Sequence, residues 1–409
     1  PAYKGFHPHM LWPTNYAFMR HDDYRMLEIR EKTPFTSNRM AEFASNGIYY
    51  FKNGRYVKKY FKQILEKGIS YNGEAYVSLV YNLLKDDDLN ISIYEIQHML
   101  QWGTPADLEE YQQWSSIFRR MMIERDTILA DDSLINLIPL AGRGLRFQNE
   151  NYTDPKPLIE VSGKPMVLQA AHCLPDSKVM RFIALEEHLQ EYPLSDGIKK
   201  EFPLAKIISI NSVTEGQACT CALGLSDEDM DIPVMIGACD NGMHWDINKF
   251  NKLLGNPGID VIVWTFKNNS CSQRNPKMYG WVTVDKNNKA LGISVKEALS
   301  EEPKNDHAII GAFYFKKAKF FIHSINSLIK KNKRINNEFY VDSCINELIE
   351  SNHVVKVFEV DDYIPWGTPN DLKTYEYWQS FFHKCTWHPY SIYKDPRIPP
   401  HKRRCLAKK

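Results

Sequence analysis

Residues suited to holding phosphate are concentrated in one stretch of the chain. It reads Leu140-Ala141-Gly142-Arg143-Gly144-Leu145-Arg146-Phe147, followed by Asp154-Pro155-Lys156-Pro157-Leu158. Glycines at 142 and 144 let the main chain approach a polyphosphate closely, so that backbone N–H groups can point at its oxygens. Arg146 adds a forked cationic donor and Lys156 a point charge. A Gly-x-Gly pair alone also describes a tight turn; the added Arg146 and Lys156 make the phosphate reading more specific. A second candidate is Asp240, delivered with Asn241 at the end of the apolar run 233–239. Its carboxylate can hold a hard cation, end its strand or cap the helix that follows. Lys296 can serve a ligand or guard a sheet edge, and Glu338 and Asp342, one helical turn apart, can be ligands or surface acids.

The elements that must position these residues follow from hydrophobic periodicity. Short apolar runs at 134–140, 179–185, 207–210, 233–239 and 260–266 read as strands, and helical patterns fall between them near 164–174, 217–225 and 247–254. The alternation predicts an α/β fold, a mostly parallel sheet with helices on both faces. Further strands are expected at 280–285, 290–296, 308–315 and 354–360, with helices at 317–331, 339–351 and 370–382. In open sheets of this kind ligands sit at the carboxyl ends of strands, where the glycine loop and Asp240 both fall.

An internal repeat organises the chain. Trp102-Gly103-Thr104-Pro105 recurs as Trp366-Gly367-Thr368-Pro369, an offset of 366 − 102 = 264. Aligned without gaps at that offset, residues 47–118 and 311–382 share 22 identities in 72 positions. The reading is a duplicated unit: residues 1–118 as the C-terminal half of a first copy, 119–133 as a linker, 134–382 as a complete second copy, and 383–409 as a basic, solvated tail. The chain begins at Pro1, within the first copy, and is expected to continue upstream by about one half-domain, each copy being of ordinary domain length.

The motif run resembles the signature of the nucleotidyltransferase family, the sugar-1-phosphate nucleotidylyltransferases and cytidylyltransferases of surface-polysaccharide pathways. The resemblance begins at Pro139–Phe147, 155–161 and 163–166 and extends through Glu215-Gly216-Gln217-Ala218, Asp240-Asn241, 280–282, Ser294-Val295-Lys296, 311–315, 337–342 and 366–369. It implies a Rossmann-like, GT-A-like fold and in-line transfer of a nucleotidyl group from a nucleoside triphosphate to a phosphorylated acceptor, with a sugar 1-phosphate first among candidates. Carried over, Arg146 and Lys156 would be catalytic, and Leu140 to Gly144 with Glu215, Gly216 and Gln217 would bind nucleotide. Asp240 would hold Mg²⁺, while Lys296, Glu338 and Asp342 would bind the acceptor.

Several positions depart from that pattern. The family's second metal-binding Asp, just before the Gly-Thr-Pro turn, is replaced by Pro365, and by Gln101 in the first copy; Asp361 or Asp362 could substitute. Leu145 stands where a small hydroxyl residue is usual. In the first copy Ser78 replaces Asp342, Glu31-Lys32 lies near the Lys296 position, and no triphosphate loop is present, so that copy is expected to be inactive. The alternatives are a non-catalytic scaffold or a cytidylyltransferase for a non-sugar phosphate such as phosphocholine. A glycosyltransferase is disfavoured because Asp240-Asn241-Gly242 is not Asp-x-Asp.

Composition narrows the rest. Lys+Arg 51 against Asp+Glu 50 argues against a bulk nucleic-acid or anionic-membrane binder. The eight cysteines form no CxxC pair, Cys219 and Cys221 read as buried thiols rather than metal ligands, and with no leader pattern or long apolar run the chain is expected to be cytoplasmic, with reduced thiols, and not membrane-inserted. A homo-oligomer is left open.

Overall fold

The computed structural model describes residues 1–13, 15–123 and 133–409. Residues 124–132, most of the expected linker, lie outside the described residues. The chain divides into two compact units, Pro1–Leu108 and Glu109–Lys409.

The second unit is built on a nine-stranded sheet. Strands Val234–Ile236, Ile135–Pro139, Val179–Leu185 and Lys206–Ile210 pair in parallel, as do Val261–Phe266 and Val355–Glu359. The long strand His307–Phe315 runs antiparallel to Val234–Ile236, to Val261–Phe266 and to Gly280–Val284, and the last of these forms a hairpin with Ala290–Val295. Seven of the nine strands therefore point one way, and only His307–Phe315 and Ala290–Val295 run against them. This is the expected mostly parallel α/β sheet, with an antiparallel insertion.

The central strands are buried on both faces, which is why they read as continuous apolar runs rather than alternating ones, while the edge strand Lys206–Ile210 has no buried residue. Ile138, Phe182, Met235 and Ile262 pack on one side with helices Met166–Ala171, Leu194–Glu201 and Ile247–Leu254. Leu137, Ile183, Ile236 and Val263 pack on the other with helices Gln217–Ala222, Ala318–Lys331 and Val341–Glu350. The parallel strands thus end together and leave their connecting loops on one rim.

At the margin of this sheet Arg181 forms a forked pair with Asp229, at 2.6 and 2.8 Å, with side chains only 13% and 6% exposed. Hydrogen bonding from Arg181 holds the Asp229 carboxyl down at about 2. Its folded value is below its unfolded one, so the pair contributes stability above about pH 4 that is lost as pH falls towards 2. Arg181→Met leaves the carboxylate without a counter-charge, held only by its hydrogen bonds from Ser226, and is expected to cost about 3 kcal/mol in a denaturant titration at pH 7. At pH 2.5 the variant should lie much closer to the parent.

The first unit carries a four-stranded sheet, in the order Ala2–Tyr3, Phe43–Ser45, Phe18–Asp22, Arg25–Arg30, with helices Gly54–Glu66 and Val77–Asp86. Local features recur at the offset of 264. Helix Val77–Asp86 matches Val341–Glu350, and helix Pro105–Arg120, which crosses the division between the units, matches Pro369–Lys384. Asn82 brackets both main-chain polar groups of Ile29 at 3.0 and 2.9 Å, as Asn346 brackets Ile293 at 2.8 and 2.9 Å. Lys32 and Lys296 both adopt positive φ, 53° and 63°. One difference is informative. The counterpart of strand His307–Phe315 stops at Ser45: Ala2–Tyr3 pairs with it in the register of Thr265–Phe266, but the described residues of the first unit include no equivalent of Val234–Ile236 or of residues 261–264. Ile48 and Tyr50 stay exposed there, beside a cavity of about 670 Å³ lined by Tyr49, Phe51, Tyr56 and Tyr81.

The C-terminal segment differs from the expected solvated tail. Helix Pro369–Lys384 is followed by a stretch in which Tyr390, Ile392 and Ile398 are buried. Gln379 donates to Ser162 and Tyr390, and Tyr390 in turn donates to Asp395, which is fully buried and paired with Arg397. Apolar anchors between the basic residues override the charge pattern; only the last turns, helix Pro400–Leu406, are largely exposed.

Candidate active site

Two loops meet at the rim where the parallel strands end. After Ile135–Pro139, Leu140 and Ala141 are buried, the chain turns through Gly142 and Arg143, and Gly144 caps the short helix Leu145–Gln148. Gly144 has φ +64°, and a Cβ there would come within 2.7 Å of the Lys156 Cβ. Glycine is required twice over, for the backbone conformation and for the close passage of the Lys156 segment.

From that segment, Lys156 reaches Asp240 and forms an ion pair, with the side chains 19% and 28% exposed. Burial acts to lower the Lys156 pKa, but the Asp240 charge and hydrogen bond more than offset it, so the ammonium is held above its ordinary value. Asp240 is placed by a short ladder that the sequence does not announce, Asn241–His244 against Asp362–Pro365. Its main-chain oxygen accepts from Trp366 at 3.0 Å, and a Cβ on Gly367 would lie 3.0 Å from its carboxylate.

Three adjoining cavities open around this pair. One is lined by Gly142, Arg143, Gly144, Arg146, Lys156, Ser212, Val213, Glu338 and Gly367. A second, of about 270 Å³, lies between Leu140, Ala141 and Lys156 on one side and Thr214, Gly216, Gln217, Glu338 and Tyr340 on the other. The third, about 310 Å³, holds Asp240, Lys296, Asp342 and Asp371 with Met278 and the tyrosines at 279, 340 and 363; it shares Arg146 and Gly367 with the first and Gln217 and Tyr340 with the second.

The wall of the second cavity is latched across two segments. Phe339 donates to the Glu215 oxygen at 2.8 Å and Ala218 donates to the Phe339 oxygen at 3.0 Å. Gly216 sits inside this clasp with φ +125°, where a Cβ would lie 2.5 Å from the Phe339 main chain. Lys296 ends strand Ala290–Val295, its ammonium 5.0 Å from the Tyr340 ring centre. The Tyr340 hydroxyl donates to Glu338 at 2.5 Å.

Most residues singled out from the sequence therefore converge on one cleft, and four side chains fall differently from expectation. The Glu215 carboxylate turns to Arg334 at 3.0 Å and lines none of the three cavities; what it contributes is its main-chain oxygen. Glu338 lines the first two cavities and not the third, where Lys296 and Asp342 are. Asp361 and Asp362 are engaged elsewhere: Asp362 pairs with His244 at 2.9 Å and Arg120 at 3.2 Å, and Asp361 with Lys249 at 3.5 Å. The lining residues that sequence reasoning missed are Ser212, Val213, Thr214, Met278, Tyr279, Tyr340, Tyr363 and Asp371. Their types carry no motif; only Tyr340 and Asp371 were within reach, as positions kept at the 264 offset by Tyr76 and Asp107.

No family model matches the chain, and no curated protein does. Among solved structures, a nucleoside-diphosphate-sugar pyrophosphorylase from Vibrio cholerae RC9 is similar with a TM-score of 0.48 and 17% identity, over 59% of this chain and 99% of that one. An inositol-1-phosphate CTP transferase from T. maritima has a TM-score of 0.48 and 14% identity, over 63% of this chain and 100% of that one. Likenesses this distant carry no argument about the cleft, which is read from its own residues.

Proposed function

We propose that the second unit is a nucleotidyltransferase, transferring a nucleoside monophosphate from a nucleoside triphosphate to a phosphorylated small molecule with release of pyrophosphate. The observation that carries this reading is the Lys156–Asp240 pair, set where the cavity of the glycine loop meets the cavity of Lys296. That junction is where the α-phosphorus of a triphosphate would lie if its β- and γ-phosphates rested on the loop.

The chemistry asks little of the protein beyond positioning and charge. Main-chain N–H groups of 142–144, with Arg143 and Arg146, would hold the departing pyrophosphate. The base would enter between Leu140–Ala141 and Gly216–Gln217. Lys296 would hold the acceptor phosphate, whose oxygen is already anionic and needs no general base to attack the α-phosphorus in line. The new P–O bond forms as the bond to pyrophosphate breaks, and Lys156 stabilises the charge that builds on the α-phosphoryl oxygens.

A divalent cation fits this cleft in a limited way. Among the described residues no group of three or more His, Cys, Asp or Glu side chains could hold a metal. Asp240 is a single carboxylate beside a phosphate-sized cavity, which suits Mg²⁺, an ion commonly held by one or two carboxylates and by substrate phosphates. When bound, such an ion supplies positive charge to the triphosphate oxygens.

The recurrence of helix bounds, asparagine brackets and positive-φ lysines at one offset supports reading residues 1–118 as a second half of the same unit. Residues 1–118 themselves carry no glycine loop and no counterpart of Asp240. A sugar 1-phosphate acceptor, a role in cell-surface polysaccharide precursors and a cytoplasmic setting are parts of the proposal that rest on the motif resemblance alone; among the described residues no helix is long and apolar enough to cross a membrane. The test is pyrophosphate release with CTP, UTP, GTP, ATP and dTTP in turn, each with Mg²⁺ and a panel of phosphorylated sugars and alcohols. At least one pair should turn over; silence across the panel, with no triphosphate binding by calorimetry, would favour a non-catalytic scaffold.

A further inference from the structure

The third cavity contains a carboxylate that nothing in the fold satisfies. Asp342 lies in the first turn of helix Val341–Glu350, with its carboxylate packed against Gly280: a Cβ on that glycine would come within 2.2 Å of Asp342 Oδ2. Among the described residues it has no hydrogen-bond or ion-pair partner beyond its own main-chain N–H, and burial pushes its pKa up to about 6. The charge that faces it is Lys296. In a folded interior a carboxylate without donors is costly, so its retention in a cavity points to a donor arriving with a ligand.

The first unit shows the same place closed. At the 264 offset Ser78 stands for Asp342 and Glu31 for Val295. There the buried Glu31 carboxylate accepts from Ser78 Oγ at 2.5 Å, so acid and donor satisfy each other within the unit. In the second unit the acid has moved from strand to helix, and Val295 offers it no side-chain donor. The Asp342 carboxylate is therefore left to whatever enters.

Charge decides what kind of donor that is. A phosphate bound by Lys296 would take up the one positive charge that faces Asp342, and a hydroxyl would return a hydrogen bond but no charge. Of the three carboxylates in the lining, Asp240 is paired with Lys156 and Asp371 accepts from Thr368, so Asp342 is the one left open, and the three tyrosine rings beside it also favour a cation. We propose that the acceptor is a phosphate ester bearing a protonated primary amine, with its phosphate at Lys296 and its ammonium at Asp342. This rests on the nucleotidyl-transfer reading of the cleft. Amino-sugar phosphates and amino-alcohol phosphates share this chemistry.

The test uses two matched pairs on the full chain: glucosamine 1-phosphate against glucose 1-phosphate, and 2-aminoethyl phosphate against 2-hydroxyethyl phosphate. Each is measured by calorimetric binding and, with the five triphosphates, by pyrophosphate release. In at least one pair the amine should be preferred by about tenfold or more, the size of a charge-assisted hydrogen bond over a neutral one. The pair that shows the preference identifies the source. In Asp342→Asn that ratio should fall to within about twofold. Equal or better binding of the neutral member in both pairs by the unaltered protein overturns the proposal, as does an unchanged ratio in the variant. An amine preference in binding without turnover overturns the transfer reading and leaves only the assignment of the ammonium to Asp342 standing; binding of none of the four overturns both.

Discussion

Replacing Lys156 with Met is expected to lower kcat by about 10³-fold while changing the nucleotide KM far less. A single preorganised donor aimed at developing charge in a water-poor cleft is typically worth 10²–10³ in rate, and a full positive charge belongs at the upper end. The nucleotide should still bind, because most of its proposed contacts are main-chain groups of 142–144 and the walls around Leu140 and Gln217. Rate loss without affinity loss is the signature of an interaction made mainly in the transition state. Steady-state kinetics with the preferred triphosphate checks this, and a comparable loss in KM alone would assign Lys156 to ground-state binding. The variant should remain folded by circular dichroism, since the Asp240 carboxylate it leaves behind is still partly open to water.

Asp240→Asn should have an effect of similar size with a different signature. The isosteric amide keeps the side-chain shape beside Gly367 but removes the charge that pairs with Lys156 and would hold a cation. Losing that charge is expected to reduce turnover by roughly 10³-fold, and the residual rate should be nearly insensitive to Mg²⁺ concentration, whereas the unaltered protein should lose its activity in EDTA and regain it on addition of Mg²⁺. Because the two groups act on the same phosphoryl centre and touch each other, the double variant should be little worse than either single one. Full additivity, about 10⁶-fold, would mean that the ion pair seen here has no part in the reaction.

Much of this architecture was legible in the sequence, and the reasons are specific. Strand 179–185 and helix 247–254 were readable to the residue because both carry a clean apolar pattern with definite ends, Asp246 capping the second. What escaped were features set by distant partners. The ladder Asn241–His244 begins with Asn-Gly, a turn signal, and is a strand only because Asp362–Pro365 lies opposite it. The side of the cleft that Glu338 faces depends on the Tyr340 hydroxyl and the clasp through Phe339, and the direction of Glu215 depends on Arg334, 119 residues later in the chain.

The site was legible to a different depth. Gly142, Gly144, Arg146, Lys156 and Asp240 could be picked out because phosphate chemistry calls for these residue types at close spacing. The third cavity was harder: Tyr279, Tyr363 and Asp371 become neighbours only when the hairpin 280–295 and the turn before helix Pro369–Lys384 fold over the strand ends. The bare carboxylate of Asp342 is visible only once the absence of a donor around it can be checked residue by residue.

The central claim, that this cleft transfers a nucleotidyl group, is tested most directly by following phosphorus. With the triphosphate labelled at the α-position and a productive acceptor, the account predicts that label enters the acceptor product, while γ-label appears only in pyrophosphate. Transfer of γ-label to the acceptor, or consumption of the triphosphate to a diphosphate and inorganic phosphate, would contradict it.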